Sequence, residues 1–311
     1  MNIGIRALET FIPKNRQSVE DVLRENECTE MEIKLFKRIH KLNQVPIVNE
    51  GQRLEETLSI PLKKLFKSSK KNKIELVLYT HTIIPQVPYN YELIYRVLKQ
   101  FELEKVTYYG ISHFNCASFF TGLEMANDFL QKSPDDCEVL IISGDQTNFM
   151  TESRYLQKSS IIGDSSAAMI LGKNVESRQI LSINTLIDAK FHAGIYANKK
   201  EVNEFNQVYI ERISKLIDGT LEKCNLSLKD IDWIIPHNVN ITTWRKIAKE
   251  KQFDFNKIMT HLIEKIGHTY CTDAQLNLEY AESEGLLKKG DLCLLIGVGL
   301  GAFFGASLIK I

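Results

Sequence analysis

Val139-Leu140-Ile141-Ile142-Ser143-Gly144 is an aliphatic run that stops at a glycine, and it returns as Leu292-Cys293-Leu294-Leu295-Ile296-Gly297. A run apolar at every position, not at alternate ones, suits a strand covered on both faces, as in sheets flanked by helices. Three further landmarks accompany the two runs in the same order. An apolar strand ending at a histidine precedes each: Ile74 to His81, then Ile231 to His237. Next comes a short loop with Cys or His that opens an amphipathic helix: Asn115-Cys116-Ala117-Ser118, then Gly267-His268-Thr269-Tyr270. After the glycine, a small-residue turn feeds a hydrophobic strand: Gly163 to Leu171, then Gly301 to Ile309. Strand-turn-helix is common, but four landmarks at one near-constant offset mark a duplicated unit.

Helical periods lie between the strands. Phe119, Leu123, Ala126 and Leu130 form one apolar stripe, and Ile210, Ile213, Ile217 and Leu221 form another. Two such α/β units imply two sheets with helices between and outside them. We place the halves at residues 1–173, which hold Cys116, and 174–311, which hold His237 and His268, joined in the polar stretch Lys173-Asn174-Val175-Glu176-Ser177.

Composition excludes several classes of function. The apolar content of 44% supports a true core, and Lys+Arg and Asp+Glu both number 39, so no generalised nucleic-acid or membrane footprint is present. The basic run from Lys63 to Lys73 reads as the solvated end of a helix and its loop. Six cysteines occur without a CxxC pair or metal-ligand spacing to histidine. No apolar run approaches the roughly 18 residues of a membrane span, and the start, Met1 to Arg6, is unlike an export signal. A reduced, cytoplasmic protein without metal or organic cofactor is expected.

Cys116 is the sharpest chemical signal. It follows a strand-like approach and opens a helix, where unpaired N–H groups and the helix dipole favour the thiolate that attacks thioesters. The plain alternative for any cysteine is a small buried hydrophobe, and Cys137 and Cys293, which lead into buried strands, and Cys224, which ends a helix, fit it. His237 lies in the turn Pro236-His237-Asn238-Val239-Asn240 just beyond a strand, where α/β folds gather active groups. A histidine there can move a proton or stabilise an enolate, although most turn histidines are only polar surface groups. His268 occupies the loop matched to Cys116, so a pseudo-twofold arrangement brings the two together. His81 is the first-half counterpart of His237, and His113 is expected to pack or cap locally. His40, His192 and His261 have no context that singles them out. Gly297-Val298-Gly299-Leu300-Gly301 precedes a strand at the end of the chain, which disfavours a dinucleotide loop and favours a tight turn that aims an N–H at an oxyanion.

Together these residues resemble the β-ketoacyl-acyl-carrier-protein synthase III family of the thiolase superfamily, over essentially the whole chain. Ile5 to Pro13 resembles its opening strand and "YLP" turn, and Asn115 to Phe119 resembles the nucleophile motif "ACAGF". Gly163 to Ala168 is similar to "GDGAGA", Pro236 to Asn240 to "PHQAN", Gly267 to Thr269 to "GNTS", and Gly299 to Leu308 to "GGGFTWGSAL". The resemblance implies a thiolase-like five-layered αβαβα fold, a homodimer, and ping-pong acyl transfer in lipid or polyketide biosynthesis. Acyl-CoA or acyl-carrier-protein thioesters would be the substrates and partners. It further implies Cys116 as nucleophile, His237 and His268 as the groups that activate a malonyl thioester, and backbone N–H groups of Cys116 and Leu300 as oxyanion hole.

Three departures qualify what carries over. His268 stands where the synthase III pattern has asparagine, which gives a Cys-His-His set like that of the elongating ketosynthases. Leu300 replaces the middle glycine of the triple-glycine turn and is strained if that position needs φ > 0. Thr242 replaces an arginine, and the "RTGI" signature is not recognisable around Arg38 to Val45, so CoA phosphates lose a partner and carrier-protein delivery or a remodelled pocket follows. The readings kept open are carbon–carbon condensation, acyl transfer to an oxygen or nitrogen nucleophile, and a silent partner subunit. The stretches Ile84 to Tyr91 and Lys190 to Asn206 are expected to line the acyl pocket.

Overall fold

The computed structural model describes residues 2–84, 86–147, 154–156 and 159–311. Strand β1 (Ile3–Phe11) leads through β2 (Asn15–Ser18), α1 (Val19–Glu25), α2 (Glu30–Lys34) and β3 (Gln44–Ile47) to helix α3 (Leu54–Ser68). Next come β4 (Ile74–Thr80), α4 (Leu93–Lys99), β5 (Thr107–Ile111), α5 (Ser118–Lys132) and β6 (Glu138–Asp145). The short β7 (Tyr155–Leu156) and β8 (Ser160–Ile161) precede β9 (Ser165–Lys173), and β10 (Gln179–Ile187) opens the second half. There α6 (Lys199–Glu222), β11 (Trp233–Ile235), α7 (Ile241–Lys251), α8 (Ile263–Ile266), α9 (Asp273–Ser283), β12 (Leu292–Gly299) and β13 (Phe303–Lys310) complete the chain.

Among the described residues, nine strands form one hydrogen-bonded array in the order β11-β12-β13-β10-β1-β9-β6-β4-β5. The two expected sheets are its two sides, because β1 meets β10 at the single pair Gly4↔Gln179 while β1 and β9 pair from Ile3 to Phe11. From this seam outward one side reads β1, β9, β6, β4, β5 and the other β10, β13, β12, β11. The sides correspond strand for strand in order and direction: β4–β6 and β11–β12 are parallel, β6–β9 and β12–β13 antiparallel. A lone parallel bridge, Ile234↔Ile258, stands beside β11 where the fifth strand, β5, stands beside β4.

The alternation of side chains along each strand sorts the apolar runs into layers. Val139 and Ile141 of β6 pack inward with Phe119, Phe120, Leu123 and Leu130 of α5 and with Ala274 and Leu278 of α9. Leu140 and Ile142 face outward onto Leu58 and Leu62 of α3 and Val97 of α4. On the other side Cys293 and Leu295 join the same central cluster, while Leu294 and Ile296 pack with Ile213 and Ile217 of α6 and Trp244 of α7. The five layers are therefore α3 with α4, a sheet, α5 with α9, a sheet, and α6 with α7.

Phe120 locks the middle layer. A Cβ on Gly305 would lie 2.5 Å from Phe120 Cβ, and one on Gly297 would lie 2.5 Å from Phe120 Cε2, so both strands carry glycine where the ring presses on them. Gly305→Ala is expected to lower unfolding stability by about 1–3 kcal/mol, the usual penalty for overpacking a filled core. A urea titration checks it, and an unchanged midpoint would show that Phe120 can move aside.

Candidate active site

Cys116 is the middle residue of a single 3₁₀ turn, Asn115–Ala117, that runs straight into α5. Asn115 adopts φ 50°, a left-handed conformation asparagine tolerates, and its side-chain Nδ2 donates to the Leu300 carbonyl at 2.6 Å. The Cys116 turn is thereby tied to the end of β12. Gly299 makes the approach possible, since a Cβ there would sit 2.5 Å from the Phe114 carbonyl and 3.1 Å from Cys116 N. Leu300 is not in the left-handed region; Gly301 at φ 89° and Ala302 at φ 60° absorb the turn, and the expected strain at Leu300 is absent.

The duplication pairs different residues from those matched in the sequence. Tyr270 adopts φ 58° as Asn115 adopts φ 50°, and Tyr270–Thr272 forms the corresponding 3₁₀ turn before α9. Cys271, two residues before α9, is therefore the counterpart of Cys116, two residues before α5; His268 lies three residues further upstream. Cys271 turns to the other side, with Sγ 3.3 Å from the Thr80 carbonyl and 3.7 Å from Asp145 Oδ2. His268 is held instead by its own backbone. His268 N donates to the Ile161 carbonyl at 3.1 Å and Gly163 N donates to the His268 carbonyl at 2.8 Å. Gly267 (φ +60°) permits this pairing, because a Cβ there would lie 2.7 Å from the Ile161 carbonyl.

The His268 ring stands between two partners. Nδ1 meets Asp273 Oδ2 at 2.5 Å, and the ring shares the cavity wall with Cys116, whose side chain is near enough to act on its charge. Asp273, fully buried at the first position of α9, collects three further donors: Thr269 N at 2.7 Å, Thr269 Oγ1 at 2.6 Å and Asn238 N at 2.5 Å. Burial by itself lowers the pKa of His268, but the charges of Asp273 and Cys116 outweigh it and raise the pKa to about 10. The reciprocal holds for Asp273, where burial raises the carboxyl pKa and His268 with the donors brings it below its ordinary value. The pair is an imidazolium and a carboxylate.

His237 has the opposite electrostatics. Burial, followed by the positive charge of His268, lowers its pKa to about 3, so it is neutral. Its ring lies 6.2 Å from that of His268, edge-on, and its carbonyl accepts a hydrogen bond from Trp244 Nε1 at 2.9 Å. Its Nε2 lies 3.0 Å from the Tyr209 hydroxyl on α6.

A cavity of about 340 Å³ opens over Cys116, with His268, Tyr209, Leu300, His40 and Lys246 among its walls. His237 does not reach the cavity surface; Tyr209 stands in front of it. Phe205 and Asn206 supply wall from the Lys190 to Asn206 stretch, whereas no described residue of the Ile84 to Tyr91 stretch does, and Pro85 lies outside the described residues. His81 is stacked on Tyr79 with Nδ1 3.0 Å from the Ile83 carbonyl, and His113 lies along a separate groove beside β5; neither lines the cavity. Asp164 of the small-residue turn is structural, bridging Arg154, Thr147 and the Val48 amide.

Three wall or support residues carried no usable sequence signal. Asp273 reads as an ordinary first-turn acid, Tyr209 as one more aromatic on an amphipathic helix, and His40 as the end of an exposed helix. Among the described residues, no group of three potential ligands could hold a metal ion, and no helix is long and apolar enough to cross a membrane.

Residues 112–189 match the family described as 3-oxoacyl-[acyl-carrier-protein] synthase III, and residues 221–311 match the C-terminal part of the same enzyme, together more than half of the chain. A β-ketoacyl-[acyl-carrier-protein] synthase III of Vesicomyosocius okutanii is 27% identical over 205 residues, covering 63% of this chain and 64% of that protein. The matched segment thus spans somewhat under two thirds of that curated relative. Two solved structures share the fold: the acyltransferase ChlB3, with TM-score 0.85, 18% identity and coverage of 100% and 98%, and the 3-oxoacyl-[acyl-carrier-protein] synthase III of Aquifex aeolicus, with TM-score 0.82, 19% identity and coverage of 99% and 100%. The matched segments, the duplicated five-layer fold and the Cys116 turn all agree, and the chain belongs to the 3-oxoacyl-[acyl-carrier-protein] synthase III family.

Proposed function

We propose that the chain carries an acyl group on Cys116 and condenses it with a malonyl-type thioester. The observation that carries this reading is the cavity over Cys116, walled by His268 and by Tyr209, with His237 directly behind Tyr209. In the first half-reaction the Cys116 sulfur attacks an acyl thioester and the donor thiol leaves. The tetrahedral oxyanion takes hydrogen bonds from the backbone N–H groups of Cys116 and Leu300. In the second, a malonyl thioester loses CO₂ and its carbanion attacks the Cys116 acyl carbon, releasing the β-ketoacyl thioester and the free cysteine. The enolate oxygen that develops meets the His268 imidazolium, a charge-assisted donor stronger than the asparagine amide of the synthase III pattern, and the neutral His237 side. No cofactor enters these steps.

Acyl-CoA or an acyl carrier protein delivers the substrates. Thr242 lines the cavity where the family pattern has arginine, and Lys246, one helical turn later on α7, offers a cation for the phosphate of a pantetheine arm. A second reading, acyl transfer to a hydroxyl or amine without decarboxylation, uses the same acyl-Cys116 and needs only a different nucleophile in the cavity. Intact mass after incubation with acyl thioesters should rise by the acyl group and not rise in Cys116→Ala. CO₂ release from a malonyl donor then decides for condensation, acyl transfer without CO₂ decides for the second reading, and no adduct with any donor leaves only a silent partner role.

The sign of the pH dependence follows from His268. Its folded pKa of about 10 lies above the ordinary 6.5, so the stability contributed by its pairing is complete below pH 6.5 and is lost as pH rises through about 10. His268→Asn, which restores the family's asparagine, should flatten this alkaline decline when urea midpoints are compared at several pH values. An equal decline in the variant would show that the pair does not hold the proton.

We further propose a homodimer through β5. This edge strand leaves one side of its backbone unpaired, Tyr109 is 53% exposed, and Met125 and Ile187 extend the apolar patch. Sedimentation should give twice the 35.7 kDa chain mass, and Tyr109→Glu with Met125→Glu should give the single-chain mass. A wild-type monomer would refute the interface.

A further inference from the structure

The reaction just described leaves two buried groups without a role, the Cys271 thiol and the Asp145 carboxylate. Cys271 is the pseudo-twofold counterpart of Cys116, and each is the middle residue of a 3₁₀ turn that leads into a helix of the central layer. The two turns pack against each other. Their residues interlock: Tyr270 belongs to the small apolar cluster around Cys116, and Ala117 belongs to the cluster that holds Cys271. The duplication therefore brings two thiols, one from each half, to a single contact between the halves.

The two thiols differ in what reaches them. Cys116 lines the cavity, so a small solute can meet its sulfur. Cys271 is buried, and its thiol donates to the Thr80 carbonyl, 3.3 Å from Sγ, with Asp145 Oδ2 3.7 Å away. Oδ1 of Asp145 accepts from Thr82 N, Ile83 N and Gln86 Nε2, while Oδ2 faces the Cys271 sulfur. Burial raises the Asp145 pKa to about 7, which makes it a readier proton acceptor than an ordinary carboxylate. Burial, followed by the charges of Asp145 and Cys116, keeps Cys271 a thiol, so it needs such an acceptor before it can act as a nucleophile. An accessible cysteine backed by a second thiol with a carboxylate beside it is the arrangement of a reactive and a resolving cysteine.

We propose that Cys271 is the resolving cysteine of Cys116, closing a disulfide between the two halves after a hydroperoxide has oxidised Cys116. In the first step the Cys116 sulfur attacks the hydroperoxide, the O–O bond breaks, Cys116 becomes a sulfenic acid, and the thiol proton leaves with the alcohol or water formed. In the second, the Cys271 side chain turns from Thr80, gives its proton to Asp145 and attacks the Cys116 sulfur. The sulfenic hydroxyl leaves as water with a proton from His268, which stands on the same cavity wall. The two sulfurs together lose two electrons, and the hydroperoxide gains them. The disulfide withdraws Cys116 from acyl donors and from irreversible oxidation, and a small thiol restores it by exchange. None of this depends on which acceptor the acyl group meets.

The test treats the reduced protein with hydrogen peroxide and follows intact mass and cysteine-linked peptides in wild type, Cys271→Ser and Cys271→Ala. Circular dichroism with a melting curve confirms that the variants fold, and the serine keeps a donor for the Thr80 carbonyl. Wild type should lose two hydrogens, yield a peptide pair joined through Cys116 and Cys271, and recover its mass with dithiothreitol. In both variants Cys116 should pass on to sulfinic acid, and loss that dithiothreitol does not restore should be about 10-fold faster than in wild type, because nothing intercepts the sulfenic acid. Asp145→Asn, which keeps an acceptor for the Thr82 and Ile83 amides, should slow closure of the bridge by about 10-fold while dimedone still captures the sulfenic acid at the wild-type rate. No Cys116–Cys271 pair in wild type, a bridge from Cys116 to another cysteine, or unrestored loss at one rate in all three proteins would overturn the proposal. Unchanged closure in Asp145→Asn would overturn the proton transfer to Asp145. Failure of the reduced wild type to take an acyl group would sink the function proposed above and leave the linked peptides to decide the bridge on their own.

Discussion

A carboxylate with no access to water must be neutralised and fully hydrogen-bonded, or it will not stay ionised. Asp273 meets that demand with the Thr269 and Asn238 donors and the His268 imidazolium. The rest of the site is arranged around this bond. Asp273 starts α9, whose apolar face is sealed between the two sheets, so the carboxylate cannot retreat to solvent. His268 is anchored through its backbone to Ile161 and Gly163 at the end of the first half. One ion pair thus couples the central helix layer and the turn of the second half to the cavity wall that holds Cys116 of the first.

The same charge explains why two adjacent histidines behave oppositely. With rings 6.2 Å apart in one buried pocket, both cannot be cationic. The partner with the carboxylate keeps the proton, and its charge adds to the burial that keeps His237 neutral. Division of acid and base character between neighbouring titratable groups is a general route to two-step chemistry in one site. In this chain the division comes from a single aspartate, at the cost of burying a complete ion pair.

Packing of the middle layer gives the site its rigidity. Phe120 presses on Gly297 and Gly305, and Gly299 lets the end of β12 lie against Cys116 N. The glycines of the C-terminal motif are therefore read as contact points for α5 and its leading turn. Leucine is tolerated at 300 because φ > 0 is required at the two residues after it and not there. The left-handed residue at 302 is an alanine, held between β12 and β13 by the pairing on both sides.

The sequence by itself determined the layers and the duplication and singled out Cys116, because these depend on short-range patterns. Every-residue apolar runs name strands with two covered faces, period-2 sorting assigns those faces, and a cysteine opening a helix is recognisable from its immediate neighbours. It also named His237 and His268, although it matched His268 to Cys116 when the strict counterpart is Cys271. That slip arose because position within a loop is not read by periodicity: His268 stands five residues before α9 begins, whereas Cys116 stands two before α5. Only the tertiary structure decided which groups touch. Asp273 is an ordinary helix-start acid until burial removes water and leaves His268 as its counter-charge. Tyr209 is one aromatic among several on α6 until the sheet places it before His237, and His40 is an unremarked helix end until it forms cavity wall. Charge state and access are properties of a filled three-dimensional neighbourhood, and no local pattern in the chain encodes them.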